Sequence, residues 1–242
     1  MRCQLILFLL LSQAWGAVTL TQHNKVASAA NSVSATLSGL TSTTGSVCVV
    51  GTNTNTTRTV STVTDNIGNT YVGVSGATAT NFTNNTTEIW RTFSCGAGVT
   101  SITVTWSGSA AVFDKEIFFF EVTGCTSCAD DTSGHTNNGS GVSNVYTGPS
   151  ITTTGTSGFS AAVIALGSSI DQNPNSGNEY SSGGDISSNG NAAASLIYST
   201  AASHQPVWHG TGASSNFCAS VAAFKASAAA AASLTPAHGD SF

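Results

Sequence analysis

The sequence predicts an all-β protein, an antiparallel and jelly-roll-like β-sandwich of about ten strands. Apolar and hydroxyl side chains alternate over short stretches, which is the pattern of a half-buried strand. Clusters of Gly, Asn, Ser and Asp separate these stretches and are typical of turns. Only 7% of the 242 residues are charged, too few for the solvated faces of long amphipathic helices. Many short strands without a credible helix favour a sandwich.

The alternation is clearest at Ser101–Trp106, where every second residue is apolar. The run at 117–120 is apolar on both faces and predicts a central strand that is covered on both sides. Further strands are predicted at residues 18–20, 34–40, 47–51, 57–63, 70–74, 88–93, 112–122, 159–166, 194–198 and 217–225. The turn-rich segments 126–150 and 168–191 are predicted to be long loops, the regions of a β-scaffold where function usually lies.

A leader, one domain and a tail are predicted. Residues 1–16 combine a basic start, an apolar run and small residues before Ala17, the pattern of a cleaved signal peptide. The apolar run is too short to span a bilayer, so no membrane span is expected. A single sandwich domain is predicted over residues 17–225, followed by an Ala-rich flexible tail at 226–242. The predicted location is secreted, either extracellular or at the cell surface.

The composition narrows the choice of partners. Ser, Thr, Asn and Gly make up 114 of 242 residues, against six Lys and Arg and eleven Asp and Glu. Six scattered basic residues do not form a positive stripe for phosphates, so the composition argues against a nucleic-acid partner. A surface wetted by hydroxyls and amides is expected instead.

Five cysteines remain after the predicted leader, an odd number in an oxidising compartment. The close spacing of Cys125 and Cys128 favours a disulfide that locks a loop. A redox motif or half of a zinc site are the alternatives, and the sequence has no second ligand pair for zinc. Cys48 and Cys218 lie within apolar strands. They either pair across a sheet or are buried thiols, and both readings stay open.

Calcium is the candidate cofactor. Residues 171–179 offer alternating oxygen side chains followed by Gly and an acid, and such side chains in a turn can converge on one Ca²⁺. The predicted metal ligands are Asp171, Asn173, Asn175 and Glu179. The adjacent acids Asp130 and Asp131 are a weaker second cluster, and solvated turns are the alternative for both.

Aromatic rings in polar segments are the candidate glycan contacts, because the C–H face of a sugar packs on a flat ring while its hydroxyls find polar partners. The predicted ligand-binding residues are Trp208, His209, Tyr180 and Asn178, with Tyr146 nearby. The alternative is that Trp208 plugs the sandwich and the tyrosines cap its core. Trp106 is assigned to the core, and Trp90, on one face with Glu88 and Thr92, fits either role.

Five strings of the chain match one pattern: VTDNIGNTY at 63–71, IWR at 89–91, ITVT at 102–105, FEVTG at 120–124 and VAAFK at 221–225. Together they resemble a β-sandwich domain of secreted and surface proteins of environmental bacteria, with a D-x-x-G-N-T-Y turn and an E-x-x-G strand end. The likeness covers about residues 18–226. It implies an adhesive or structural module with no settled activity and no catalytic residue to transfer. The Cys125 and Cys128 pair departs from the pattern and implies a stabilised loop.

Three functions follow, in this order. The first is a non-catalytic binding or adhesion module that recognises a glycan or another extracellular polymer through its loops. The alternative is a structural subunit of a matrix, appendage or filament, in which low charge, an odd cysteine and strand edges favour self-association. A glycoside hydrolase using Asp114, Glu116 or Glu121 ranks last, because the strand that carries them is dominated by Phe and no G-x-S-x-G or HExxH motif occurs.

Overall fold

The computed structural model describes residues 17–80, 84–109, 114–125, 128–166, 170–172, 180–186, 191–210 and 215–226, with the backbone alone at 170–172 and 181–186. Every regular element in these residues is a β-strand, and every strand pair is antiparallel. The predicted all-β, antiparallel fold class is therefore confirmed, although the strands outnumber the ten or so expected.

The strands fall into two groups along the chain. The N-terminal group is β1 (Thr19–Ser28), β2 (Ser34–Ser38), β3 (Ser46–Thr54), β4 (Val60–Asp65), β5 (Val72–Thr80), β6 (Thr86–Cys95), β7 (Ser101–Trp106) and β8 (Lys115–Thr123). The C-terminal group is β9 (Ala129–Asp130), β10 (His135–Ser140), β11 (Val145–Thr147), β12 (Ile151–Thr152), β13 (Gly158–Leu166), β14 (Ile170–Gln172), β15 (Ser181–Ile186), β16 (Asn191–Tyr198), β17 (Ser203–His204), β18 (Val207–Gly210) and β19 (Asn216–Lys225).

The two groups have the same connectivity. The N-terminal group forms a large sheet in the order β1-β8-β3-β6-β5 and a small sheet in the order β2-β7-β4. The C-terminal group forms β10-β19-β13-β16-β15 and β11-β18-β14, with the short pairs β12-β17 and β9-β19 added. The C-terminal strands can be numbered from one to eight in chain order, with β10 as the first, β11 and β12 together as the second, and β17 and β18 together as the seventh. The strand order of its two sheets is then the same as in the N-terminal group. Each half is an eight-position jelly roll.

The sheets stack in four layers around three apolar cores. The inner core lies between the two large sheets and contains Val49, Phe118, Phe120, Phe159, Val163, Ala222 and Phe224. The N-terminal outer core lies between the first large sheet and its small sheet and contains Cys48, Val50, Ile117, Phe119, Ile102, Val104 and Trp106. The C-terminal outer core contains Ile164, Ala194, Val221, Tyr146, Ile151 and Trp208. Each large sheet thus packs against an apolar core on both of its faces.

Strand β8 shows this double cover directly. Phe118 and Phe120 point into the inner core, whereas Ile117 and Phe119 point into the N-terminal outer core. All four are fully buried, because successive side chains of a strand alternate between the faces. The predicted central strand at 117–120 is confirmed.

The two halves meet closely along one edge, between β5 and the segment before β10. The Gly134 amide donates a hydrogen bond to the Ser75 carbonyl (2.7 Å). A Cβ built on Gly76, where φ is +78°, would come within 2.4 Å of the Gly134 oxygen. Glycine is required on this edge because the two backbones approach without room for a side chain.

The prediction that residues 126–150 and 168–191 form long loops is wrong. The first carries β9, β10 and β11, and the second carries β14 and β15. Strand β10 has the sequence HTNNGS with no apolar alternation, because it lies at a sheet edge and its faces are mostly exposed. Its pairing with β19 along six residues is a tertiary contact that no local pattern encodes.

The disulfide pattern corrects the suggested pairing of Cys48 with Cys218. Cys48 is bonded to Cys95, with their Cα atoms 5.6 Å apart. Cys48 faces the N-terminal outer core, whereas Cys218 packs with Ala79 and Ala165 on the inner side of the two large sheets, so a layer of sheet separates them. The Cys218 thiol is buried and donates to the Asn85 carbonyl (3.4 Å). Cys125 and Cys128 form the second disulfide, with Cα atoms 5.3 Å apart.

Candidate functional site

The D-x-x-G-N-T-Y segment is a turn held by one carboxylate. Asp65 Oδ1 accepts hydrogen bonds from the backbone amides of Ile67, Gly68 and Asn69 (3.0, 2.7 and 3.1 Å). Its Oδ2 accepts from Asn69 Nδ2 (2.7 Å) and from the Tyr71 hydroxyl (3.1 Å). Burial of Tyr71, together with the nearby Asp65 charge, raises the pKa of its hydroxyl. The Asp65 carboxylate and its partners therefore hold the turn itself.

The predicted aromatic site is corrected by burial. Trp208 and Tyr146 are 0% exposed and Tyr180 is 2% exposed, all three within the C-terminal outer core. A fully buried ring cannot stack on a sugar, so Trp208 plugs the sandwich and the tyrosines pack in its core. His209 is half-buried beside Trp208 on β18. Asn178 lies outside the described residues.

Three of the predicted calcium ligands, Asn173, Asn175 and Glu179, lie outside the described residues, and Asp171 is described by its backbone in β14. Calcium binding by the 171–179 segment therefore stays a prediction. Within the described part of the chain, no group of three or more metal-ligating side chains is found.

The two acids of the second cluster, Asp130 and Asp131, bind different partners within the chain. Asp130 accepts two hydrogen bonds from the Arg91 guanidinium (3.1 and 2.7 Å), an ion pair between the two halves. Asp131 accepts bonds from the Thr154 and Gly155 amides, the Thr154 hydroxyl and the Tyr198 hydroxyl.

Burial works to raise the pKa of Asp131, but these hydrogen bonds outweigh it and hold that pKa below its ordinary value. The Lys225 ammonium lies 3.4 Å from the same carboxylate. Asp131 thus anchors the loop before β13 through hydrogen bonds within its own chain.

Each of the three acids of the hydrolase alternative accepts a hydrogen bond from a nearby residue of the chain. Asp114 accepts from Asn55 Nδ2 (2.9 Å) at the surface, and Glu116 is buried with Asn53 Nδ2 (3.1 Å). Glu121 is buried and accepts from the Thr43 amide and hydroxyl (2.6 and 2.7 Å). Each carboxylate has a structural partner.

Trp90 is the described tryptophan that is not buried, and it is the centre of the candidate site. It lies on β6 opposite Val50 of β3 and Gly73 of β5, with one side packed on the N-terminal outer core. Glu88, two residues earlier, shares its face and lies opposite Thr78 of β5. We call Trp90, Gly73, Thr78 and Glu88 the Trp90 surface.

Gly73 leaves part of the Trp90 ring uncovered. A Cβ built on Gly73 would lie 3.5 Å from Cε2 and 3.6 Å from Cζ2 of that ring, which is van der Waals contact. Any side chain at this position would therefore rest on the indole, and the glycine leaves that place to solvent or to a ligand.

Glu88 supplies the charge of this surface. Its carboxylate accepts bonds from the Val60 amide at the start of β4 and from the Thr78 hydroxyl (3.3 Å). Burial raises its pKa to about 6, although these two hydrogen bonds act in the opposite direction. Glu88 is only 6% exposed, so its charge lies beneath this surface, whereas Thr78 beside it is exposed.

The number of strands in each sheet explains why part of the Trp90 surface is exposed. The small sheet of the N-terminal half has three strands and ends at β4, whereas the large sheet beneath it has five. The outward face of β5 therefore extends beyond its cover, and Gly73 and Thr78 are exposed. The sequence marks Trp90 as ambiguous, but it cannot reveal Gly73, because a register shift between Gly73 and Thr78 decides what lies opposite the ring.

Comparison with protein-family models and with curated proteins returned no match for this chain. The class of protein is therefore defined by its fold and surface: a tandem, disulfide-bonded β-sandwich with one partly open tryptophan in its described residues. No helix able to cross a membrane is found in those residues.

Proposed function

We propose that this protein is an exported, non-catalytic binding module that recognises a neutral extracellular glycan through the Trp90 surface. The single observation that carries the proposal is the half-buried Trp90 ring, part of which is left uncovered because the residue opposite it, Gly73, has no side chain. A flat ring packed on one side and open on the other is suited to the C–H face of a sugar.

The neighbours of the ring supply polar partners. The Thr78 hydroxyl and the Glu88 carboxylate are hydrogen-bonded to each other and lie one alternate position along the sheet from Trp90, a distance of about 7 Å. Sugar hydroxyls can exchange hydrogen bonds with the exposed Thr78 hydroxyl, which the buried Glu88 carboxylate holds in place. Because Glu88 is the charged member of the surface, neutral sugars are favoured over uronic acids, whose carboxylates it would repel.

The test is a glycan array of neutral and acidic polymers, followed by a titration of tryptophan emission. Trp106 and Trp208 are buried, so a sugar that stacks on Trp90 should change the emission of that ring selectively. Trp90→Ala removes the platform. Loss of about 80 Å² of apolar contact at about 25 cal/mol/Å² is about 2 kcal/mol, or a Kd weakened by about 30-fold.

Two further variants sharpen this test. Gly73→Val should cover the ring and abolish binding while Trp90 remains, and Ile197→Ala, at an exposed site in the other half, should leave binding unchanged. Absence of binding to every glycan, or equal binding by Trp90→Ala, would overturn the proposal.

Assembly into a matrix or filament is the second candidate, and one observation favours it. Strand β2 is an uncharged edge of the small sheet, and an unprotected edge can pair with another chain. The buried Cys218 thiol is not placed for a disulfide between chains. We therefore expect any assembly to resist reductant, and a protein that stays monomeric at high concentration in size-exclusion chromatography would exclude it.

A further inference from the structure

A two-dimensional array of hydroxyl side chains covers the outward face of the small N-terminal sheet. Strands β2, β7 and β4 bury Leu37, Val104, Val63 and their neighbours in the N-terminal outer core, so the alternate residues face outward. The outward residues are Ser34, Thr36, Ser38, Thr62, Thr64, Ser101, Thr103 and Thr105. We call them the hydroxyl face.

The strand register arranges these residues in rows. Thr36, Thr103 and Thr64 lie opposite one another across the three strands. Ser34, Thr105 and Thr62 form the next row. Positions repeat about every 4.8 Å between strands and about every 6.8 Å along them. The hydroxyls of Thr36 and Thr103 are 2.9 Å apart and hydrogen-bonded, which restricts both rotamers.

Among the described side chains of the other half, no such face is found. Its equivalent small sheet, β11-β18-β14, has Val145, Thr147, Val207 and His209 at the positions that alternate with buried Tyr146 and Trp208. Within the described side chains, the array is therefore a feature of one small sheet and not of both. Asp65, the one charged residue in β2, β4 and β7, is bonded within its own turn.

The chemistry of this face selects its partner. A polyanion or polycation would find no counter-charge on it, and a soluble sugar would find no aromatic ring. A rigid, uncharged lattice that repeats donors and acceptors in two dimensions matches it in charge and in periodicity. Threonine contributes a methyl group that displaces loosely held water and a hydroxyl that both donates and accepts.

We propose that the hydroxyl face binds the ordered water of an ice surface. Oxygen positions in hexagonal ice repeat on the same length scale as the rows and columns of this face. The rigid sheet orders the side chains before contact, which lowers the entropic cost of engaging many weak contacts at once. This inference is independent of the Trp90 surface.

The test is inhibition of ice recrystallisation by the purified protein, together with adsorption of the fluorescently labelled protein to a growing ice crystal. We expect the wild-type protein to restrict crystal growth and to be incorporated into the ice. Thr103→Lys places a long charged side chain in the middle of the array and should abolish both effects. Thr147→Lys, the same change on the equivalent sheet, should retain them.

Two further measurements distinguish a loss of ice binding from a loss of folding. Thermal melts of both lysine variants show whether each is folded, and the milder Thr36→Val, which keeps the shape but loses one hydroxyl, should weaken ice activity partially. The proposal is overturned if the wild-type protein has no effect on ice, if Thr103→Lys is folded and fully active, or if Thr147→Lys is equally inactive. Retention of ice activity in Trp90→Ala separates this site from the glycan site.

Discussion

At the scale of single residues, several ionisable groups are held by hydrogen bonds within their own chain. Asp65 and Asp131 each close a loop, and Glu121 anchors the loop before β3 through Thr43. The Lys115 ammonium is buried and donates to the Ser32 carbonyl (3.0 Å). At Glu88, burial outweighs the hydrogen bonds from the Val60 amide and the Thr78 hydroxyl and raises the pKa of the carboxyl.

Glu88 should make the stability of the protein depend on pH. Its pKa is raised from 4.5 to about 6 on folding, so the folded state binds the proton more tightly. The stabilisation is fully present below about pH 4.5 and is lost as the pH rises through 6. A shift of this size corresponds to about 2 kcal/mol.

Denaturant unfolding of the wild type and of Glu88→Gln at a series of pH values measures this effect. The free energy of unfolding of the wild type, relative to the glutamine variant, should increase by about 2 kcal/mol between pH 7 and pH 4.5. Glutamine keeps an acceptor for the Val60 amide and cannot titrate. A difference that does not change with pH would contradict this interpretation of Glu88.

At the scale of strands and loops, the two disulfides close rings of very different size. Cys48 and Cys95 are 47 residues apart and join β3 to the end of β6, whereas Cys125 and Cys128 are three residues apart. A longer ring removes more conformational entropy from the unfolded chain.

Replacing Cys48 and Cys95 together by Ala should therefore destabilise the protein by about 4 kcal/mol, and replacing Cys125 and Cys128 together by about 2 kcal/mol. The second pair is the matched control, because both double variants remove two buried sulfurs. The midpoints of urea unfolding under oxidising conditions measure the difference, which should disappear in reductant. Equal losses for the two pairs would show that packing of the sulfurs outweighs the size of the ring.

At the scale of the whole molecule, the two jelly rolls share a core. The inner core joins Phe118 and Phe120 of one half to Phe159 and Phe224 of the other. The Arg91 and Asp130 ion pair and the Gly134 backbone bond close the same contact at one edge. Neither large sheet would be covered on both faces if the halves separated.

We therefore expect both halves to unfold in one transition. In a chain that begins at Ala17, replacing Trp90 and Trp208 by Phe leaves Trp106 as a reporter of the N-terminal outer core. Replacing Trp90 and Trp106 leaves Trp208 as a reporter of the C-terminal outer core. The two emission curves should coincide in urea. Separate midpoints, each equal to one phase of the wild-type curve, would show that the halves are independent.

The candidate site could be predicted from the sequence only in part. The sequence identifies Trp90 as a ring that fits either a core or a binding role, and burial of Trp208, Tyr146 and Tyr180 reassigns the rings that looked more favourable. A tryptophan in a polar segment is locally indistinguishable from one under a sheet, because exposure depends on strands far away in the chain.

The sequence by itself determined that this is an all-β protein, because period-two alternation and turn residues are local properties that act on neighbouring residues. It also located the strand at 117–120 as doubly covered. Only the tertiary structure decided that there are two halves with the same strand order, that Cys48 pairs with Cys95, and that Gly73 lies opposite Trp90. These features depend on strand order and register, which arise from contacts between residues distant in sequence and leave no periodic signal in the chain.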